Sequence, residues 1–471
     1  MSRSKTAAGA LPAAFAQAIE GLRAQYPFAS LAVALSGGLD SMVLLRLAHA
    51  WAKEEGVAIH AFHVHHGLSP NADAWLAHCE RACGELGIAF DVRRVSIPKD
   101  KSGVEAAARR LRYAALGELC RAHGAGVLLT AHHLDDQAET VLLQLLRGSG
   151  PAGLSGMDTA NRAPGLLGSE ELVMGRPLLA QSRAALEAWA EGQGVAWVED
   201  ESNEDPRYAR NALRHGVMPA LASSFPGFQE RIARSAAHAA SAQRLLDELA
   251  EQDLAASLDG DALDLARLKG LSRDRIHNLL RHLFTVRGLA MPSTAWLGEM
   301  VAQLLCARED AQLKVTHPGC HIRRHRGKLH ITPRLPDLEG MRDPDDIGVL
   351  HRAGATFRWD GSAATAFPAY GGVLHIEPAA QGFDAAWLRS QELTIDFRQG
   401  GERLKPAVNR PTRSLKAHFQ HLGVPAWERE RLPVVKRGLD LLFAAGIGMD
   451  CKHFGREGAQ LVALRWEPSP A

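Results

Sequence analysis

Ser36-Gly37-Gly38-Leu39-Asp40-Ser41 puts two hydroxyls, two adjacent glycines and a carboxylate in one short run. A glycine turn lets the main chain approach an anion with no Cβ in the way. A helix opening at that turn adds backbone N–H groups and the positive end of its dipole, which suits a phosphate. Asp40 is placed to hold a divalent cation against the β- and γ-phosphates, where the ion would neutralise a departing pyrophosphate. The turn has no lysine and no Gly-Lys-Ser/Thr, so it is not a Walker A loop. The competing reading makes Asp40 a helix N-cap and gives Ser36 and Ser41 to turn hydrogen bonds.

Three further constellations accompany the turn. His63-Val-His65-His66-Gly-Leu-Ser69 could ligate zinc, but no cysteine or carboxylate ligand lies beside it. At the end of a strand, His65 and His66 more naturally touch a nucleotide. Thr130-Ala-His-His133-Leu-Asp135-Asp136-Gln-Ala-Glu139-Thr140 gathers three acids on the first turn of a helix. The helix dipole alone would favour them there. Beside an ATP site they also suit Mg²⁺ or a cationic amine, with His133 toward the nucleotide. Arg109 and Arg112 are three apart and share a helix face, fit to steady an α-phosphate or an RNA backbone or simply to be solvated.

The elements that must position these residues are legible. Leu31 to Leu35 is an apolar run with the length of a buried strand, and a helix-periodic segment runs from Asp40 to about Lys53. Further strands are expected at Val57–Val64, Ile88–Val95 and Val127–Thr130, with helices at Val104–His123 and Leu134–Leu146 between and after them. Strands alternating with helices predict a doubly wound α/β parallel sheet with its ligand at the carboxyl ends of the strands. Leu11, Phe15, Ile19 and Leu22 keep helical spacing ahead of the first strand. Ser155 to Gly175 reads as a loop, and Ser182 as the N-cap of a helix reaching Gln193. A long helix is expected from Phe228 to about Leu258, then more helix to Leu305 and a basic hairpin from His321 to Ile331. Pro333 to Ile347 reads as a linker, and short strands beyond it as a β-rich α+β domain. The expected domains are therefore 1–218, a helical 225–332, and 348–471.

The chain has 471 residues and a formal net charge of +1, so a surface that attracts nucleic acid must be local. Its six cysteines are scattered with no Cys-x-x-Cys, which disfavours a zinc ribbon, an iron–sulfur site or a disulfide framework. Neither a signal peptide nor an apolar span of membrane length is seen, so a cytoplasmic protein is expected.

Together these motifs resemble the tRNA(Ile)-lysidine synthetases, a family within the PP-loop ATP pyrophosphatases. Its pattern includes Ser-Gly-Gly-x-Asp-Ser, a His-His-Gly-Leu turn, Ala-Arg-x-x-Arg-Tyr and His-His-x-x-Asp-Asp-Gln-x-Glu-Thr, all present here. The likeness continues through Arg176-Pro-Leu-Leu179, Glu199-Asp-Glu-Ser-Asn203, Arg210-Asn-Ala-Leu-Arg214 and, weakly, the helical middle region. It returns at Arg398-x-Gly-Gly-Glu-Arg403, Ser414-Leu-Lys416 and Gly423-Val-Pro425. The resemblance implies ATP-dependent ligation of free L-lysine to the wobble cytidine of a tRNA(Ile) with a CAU anticodon. The cytidine is first adenylated with loss of pyrophosphate, and the lysine ε-amine then expels AMP.

On this resemblance Ser36 to Ser41, with His65, His66 and His133, contact ATP, and Asp40 and Asp135 hold Mg²⁺. Asp136 and Glu139 hold the lysine, and Arg112 braces the adenylate. Arg109, Arg210, Arg214, Arg323, Arg324, Arg413 and Lys416 face the tRNA; whether the protein is a homodimer stays open. Three alternatives compete. A small-molecule amidating ligase, such as an NAD or GMP synthetase, would need no RNA-binding domains, and the long basic-patched C-terminal half argues against it. A PP-loop tRNA thiolase would need catalytic or cluster-binding cysteines. A non-catalytic RNA-binding protein would have a degenerate nucleotide site.

Overall fold

Leu11, Phe15, Ile19 and Leu22 are buried along one side of the first helix, α1 (Arg3–Gln25), as their spacing predicts. The computed structural model describes residues 3–67, 69–96, 104–199, 209–306, 313–334, 354–456 and 459–469. After α1 the chain alternates β1 (Ser30–Ala34), α2 (Leu39–Glu55), β2 (Ala58–His65), α3 (Ala72–Leu86) and β3 (Ala89–Arg94). It continues through α4 (Val104–His123), β4 (Val127–Leu129) and α5 (Leu134–Leu146). Beyond come α6 (Pro151–Leu154), β5 (Ala160–Arg162), α7 (Pro164–Leu167), β6 (Val173–Gly175) and α8 (Arg183–Gln193).

These strands form one sheet in the order β3-β2-β1-β4-β6-β5, parallel except for the edge pair β5–β6. β1 is central, with Val33 in register with Ala61 on one side and Leu129 on the other. It buries both faces, as its unbroken apolar run requires. Leu31, Val33 and Leu35 pack with α1, α2, α3 and α8, whereas Ala32 faces the layer of α4 and α7 with Phe62, Leu116 and Leu128. The α4–α7 contact is close enough to exclude a side chain: a Cβ on Gly117 would lie 1.9 Å from the Leu167 carbonyl oxygen.

The chain leaves β1 for β2 on one side and returns to β4 on the other, so the sheet switches direction between β1 and β4. Open α/β sheets bind ligands at the carboxyl ends of strands beside such a switch. The turns after β1, β2, β4 and β6 all open at that edge.

The 155–175 segment departs from its expected loop structure. It holds β5, α7 and β6, and β6 is buried throughout. Three-residue strands are too short to show alternation. Gly175 ends β6 because a Cβ there would lie 2.7 Å from Leu22 and 2.9 Å from Leu129.

Past α8 come α9 (Ala209–Ala212), a π-helical turn (Leu213–Val217), α10 (Met218–Ser224) and α11 (Phe228–Ser257). Within α11 the chain divides into two compact units, Met1–Leu249 and Ala250–Ala471.

The second unit is more than helical at its start. Helices Leu265–Lys269, Arg273–Val286 and Thr294–Cys306 share a core with a five-stranded antiparallel sheet. The expected basic hairpin is its central pair, Cys320–His325 with Lys328–Pro333. The β-rich end of the chain contains a five-stranded sheet, including Leu393–Phe397 and Pro433–Arg437, and a three-stranded sheet built on Gly372–Asp384. The linker expected from Pro333 to Ile347 lies outside the described residues from 335 onward. No described helix is long and apolar enough to cross a membrane.

Candidate active site at the carboxyl edge of the first sheet

Gly38 occupies the N-cap position of α2, with extended backbone and no side-chain cap. Asp40 therefore lies inside the first turn and caps nothing, contrary to the competing reading. An α-helix leaves its first N–H groups, here those of Leu39, Asp40 and Ser41, without intrahelical acceptors. Free N–H groups of this kind at a helix start suit an anion. Gly37 takes φ +90°, which glycine tolerates, and a Cβ there would press on Cys79 and Val198 at 3.1 Å.

Ser41 knits the turn. Its hydroxyl accepts from the N–H groups of Ser36 and Gly37, both at 3.2 Å, and donates to the Gly38 carbonyl at 3.0 Å. Ser36 Oγ lies 3.1 Å from Ser41 Oγ. Val198 N–H closes the outer side on the Gly37 carbonyl at 3.0 Å. The acidic run that follows, from 200 through 208, lies outside the described residues.

Asp40 is linked to the second constellation. Its Oδ2 lies 3.6 Å from His133 Nε2, which in turn lies 3.4 Å from Asp136 Oδ2, and His133 Nδ1 lies 3.7 Å from Asp135. Burial alone would raise the Asp40 carboxyl, but His133, Arg183 and Arg214 outweigh it and hold it below its ordinary value. For His133, burial pulls downward, and the three surrounding carboxylates overcome it and raise the imidazole above its ordinary value. The Asp136 N–H also approaches His133 Nδ1 at 3.4 Å, a contact that belongs to the neutral ring. It is long and weak. Three carboxylates around a buried ring favour the imidazolium.

The three acids of α5 differ in surroundings. Asp135 accepts from the Arg183 N–H at 2.8 Å and from Gln229 at 3.2 Å, so it ties α5 to the starts of α8 and α11. Asp136 Oδ2 accepts from the His133 N–H at 3.2 Å, and its Oδ1 faces Arg214 at 3.4 Å and Arg210 at 3.6 Å. Glu139 is 1% exposed and held from both sides. Arg210 Nε reaches Oε2 at 2.8 Å, and Arg214 reaches Oε1 at 2.7 Å and Oε2 at 3.0 Å. Asp40, His133, Asp136, Arg214 and Glu139 thus form an unbroken run of ionisable groups from the glycine turn into α5.

A second, positive corner adjoins this chain. His132 donates to or accepts from Thr130 Oγ1 at 2.9 Å. Burial, reinforced by Arg176, Arg109, Arg210 and Arg112, pushes its imidazole down to about 3, so it is neutral at physiological pH. Arg109 and Arg112 are exposed and rest on the Tyr113 ring at 5.0 and 5.4 Å. Arg176 is buried and bonds the Asp158 carbonyl and Asn161, both at 2.7 Å. His132 and Arg176 were not among the expected site residues. Arg176 follows β6, whose shortness hid the strand end that places it.

The histidine turn flanks the other side. His63 Nδ1 bonds the Leu35 carbonyl at 2.9 Å, tying the end of β2 to the start of the glycine turn. His65 lies 3.2 Å from Asp73, which is paired with Arg94 at 3.1 Å; His66 is the adjacent residue at the strand end. Among the described residues no group of three or more His, Cys, Asp or Glu side chains has metal-binding geometry, the histidine turn included.

The basic residues expected to face RNA fall into different settings. In the hairpin, Arg324 is buried and donates to the Leu304 carbonyl at 3.2 Å. Arg323 stacks on Trp427 at 5.0 Å, His325 bonds the Gly423 carbonyl at 3.0 Å, and Arg326 reaches the Gln420 carbonyl. The hairpin is therefore docked on helix Leu415–Leu422 and the turn beyond it. Arg413 and Lys416 are exposed. Arg210 and Arg214 face the carboxylates of α5.

A PP-loop domain model matches residues 12–221, a TilS substrate binding domain model 263–330, and a TilS substrate C-terminal domain model 393–466. A tRNA(Ile)-lysidine synthase from Ralstonia nicotianae is 44% identical over 429 residues, 89% of either chain. One from Burkholderia pseudomallei is 44% identical over 463 residues, 93% of either chain. A solved TilS C-terminal domain aligns with 25% of this chain and 99% of its own, at 20% identity and a TM-score of 0.21.

Proposed function

The chain belongs to the tRNA(Ile)-lysidine synthase family, and from that membership we propose that it is an ATP-using ligase that forms lysidine on tRNA(Ile). Free L-lysine is the donor, and the wobble cytidine of a CAU anticodon is the acceptor. The observation that supports this most directly is the run of ionisable groups in contact from Asp40 to Glu139. It joins a phosphate-binding turn to a carboxylate pair of the kind an ammonium substrate needs.

The cytidine carbonyl is unreactive toward an amine, so its oxygen must first become a leaving group. The ring oxygen attacks the α-phosphorus of ATP and pyrophosphate departs. The lysine ε-amine then attacks the activated ring carbon, a C–N bond forms, and AMP leaves with the oxygen. The N–H groups at the start of α2 cradle the phosphates. His65 and His66 close the nucleotide side of the turn. Arg112, with Arg109, Arg176 and neutral His132, makes a positive corner for the adenylate phosphate or the RNA backbone. Asp136 and Glu139 take the lysine ammonium, and His133 holds Asp40 and Asp136 in place.

Mg²⁺ fits Asp40. Its Oδ1 is buried with no hydrogen-bond partner, the free hard acceptor that such an ion requires beside phosphates. Asp135 fits less well, since both its oxygens already accept hydrogen bonds. When bound, the ion would neutralise charge on the departing pyrophosphate.

The proposal assigns catalysis to 1–218 and tRNA contacts to 225–332 and 348–471, with exposed Arg413 and Lys416 as phosphate contacts. The reaction takes place in the cytoplasm. The test is transfer of labelled lysine to tRNA(Ile) bearing a CAU anticodon in the presence of ATP and Mg²⁺. Folded protein that adds no lysine would sink the proposal.

A further inference from the structure

Glu139 is a fully buried carboxylate whose two oxygens are both engaged by guanidinium groups. A buried charge left without a counter-ion is strongly disfavoured, so some cation must accompany Glu139 at every stage. An incoming ammonium can reach it only by displacing Arg210 or Arg214. Neither arginine is enclosed: their side chains are 28% and 26% exposed, which leaves room to move. Arg214 rides on the π-helical turn Leu213–Val217 and lies within the electrostatic reach of Asp40 at the phosphate turn. Such turns recur at functional sites. Arg210 lies within reach of His132 in the positive corner.

The charges around Glu139 also balance. Asp136 and Glu139 face the two guanidiniums of Arg210 and Arg214. A lysine ammonium entering this paired cluster would leave one cation in excess. A nucleotide triphosphate entering first supplies anions that compete for the guanidiniums, and the acids of α5 are then left for an ammonium.

We infer that Arg210 and Arg214 stand in for the substrate ammonium on Glu139 and Asp136, and give up that place when nucleotide phosphates draw them away, so that lysine binds after ATP. This rests on the proposed lysine site. It makes the two arginines positioning residues that set the order of substrate binding.

The test is calorimetric titration of L-lysine into the full-length protein, alone and with Mg²⁺ and α,β-methylene-ATP. Lysine should bind at least tenfold more tightly with the nucleotide analogue. Arg214→Gln should bind lysine more tightly than the wild type when nucleotide is absent, narrowing the ratio to less than threefold. Equal lysine affinity with and without the analogue in the wild type would overturn the inference, as would a lack of lysine binding with the analogue present. The wild-type comparison stands even if the variant fails to fold. Asp136→Asn separates the two readings. If it leaves lysine affinity with nucleotide unchanged, the lysine site is misassigned. If affinity depends on Asp136 but not on nucleotide, only the exchange fails.

Discussion

Asp40 Oδ2 sits 3.6 Å from His133 Nε2, so the first turn of α2 and the N-cap of α5, which follow different strands, meet through one carboxylate and one imidazole. The other Asp40 oxygen is buried without a hydrogen-bond partner. One atom is thus fixed by the protein and one is left for something else. This division makes Asp40 the most informative residue to change.

Asp40→Asn keeps the shape but loses the charge. Lysine transfer should fall at least about a hundredfold, the usual scale for removing one electrostatic stabiliser from a reaction centre. The Mg²⁺ concentration for half-maximal rate should rise. Transfer assays across a Mg²⁺ series, with circular dichroism to confirm the fold, read both.

His133 gives a pH-dependent signature. Its imidazole is raised above the ordinary value of 6.5 by neighbouring acids. The stability from that pairing is fully present below the unfolded value and is lost as pH rises through the higher folded one. The melting-temperature gap between wild type and His133→Asn should therefore be widest below about pH 6.5 and shrink toward alkaline pH. A gap that grows with pH would contradict the imidazolium assignment.

Glu139→Gln should destabilise the fold by about 2 to 3 kcal/mol in urea denaturation. This is at or just below the usual range of about 3 to 5 kcal/mol for breaking a buried pair, because both arginines can turn partly to solvent. Restoring a carboxylate with Glu139→Asp should recover only part of it, since the shorter side chain cannot reach both guanidiniums.

Gly117→Ala tests the α4–α7 contact. The new methyl would meet a backbone carbonyl, which cannot rotate away. Overpacking of this kind costs about 1 to 3 kcal/mol, against about 1 kcal/mol that alanine gains over glycine within a helix. A net loss of up to about 2 kcal/mol is expected in thermal or urea unfolding.

Arg324→Ala and the Arg413→Ala or Lys416→Ala variants should diverge. The first removes a buried hydrogen bond and should lower stability. The other two should leave stability unchanged, weaken tRNA binding evenly across sequences and reduce the salt slope of binding by about one unit each. Binding measured over a salt series, beside melting curves, distinguishes them.

Much of the catalytic half is legible from residue spacing alone. β1 is marked by its unbroken apolar run, α5 begins and ends where its acids and leucines suggest, and Ser182 caps α8 by accepting from the Ala185 N–H at 3.3 Å. What spacing hides is pairing across sequence distance. Nothing near Glu139 signals that Arg210 and Arg214, more than 70 residues on, lie against it. Nothing in the basic hairpin says that Arg323 rests on Trp427, over 100 positions away. A run of arginines reads as a surface whether its partner is solvent, RNA or the rest of the chain. β5 and β6 were missed for a simpler reason: three residues carry too little pattern to count.

The Ser41 hydroxyl, which takes two N–H groups and gives its proton to a carbonyl, bears on how tightly nucleotide is held. Because these bonds already fix the glycine turn, its backbone freedom is given up during folding and not at the encounter with ligand. Ser41→Ala would return that freedom to the turn. The loss should appear as a more unfavourable entropy of nucleotide binding at nearly constant enthalpy, beside a lower melting temperature from the N–H groups left without an acceptor. Pre-organisation of the turn is thus separable, in a calorimeter, from the chemistry it serves.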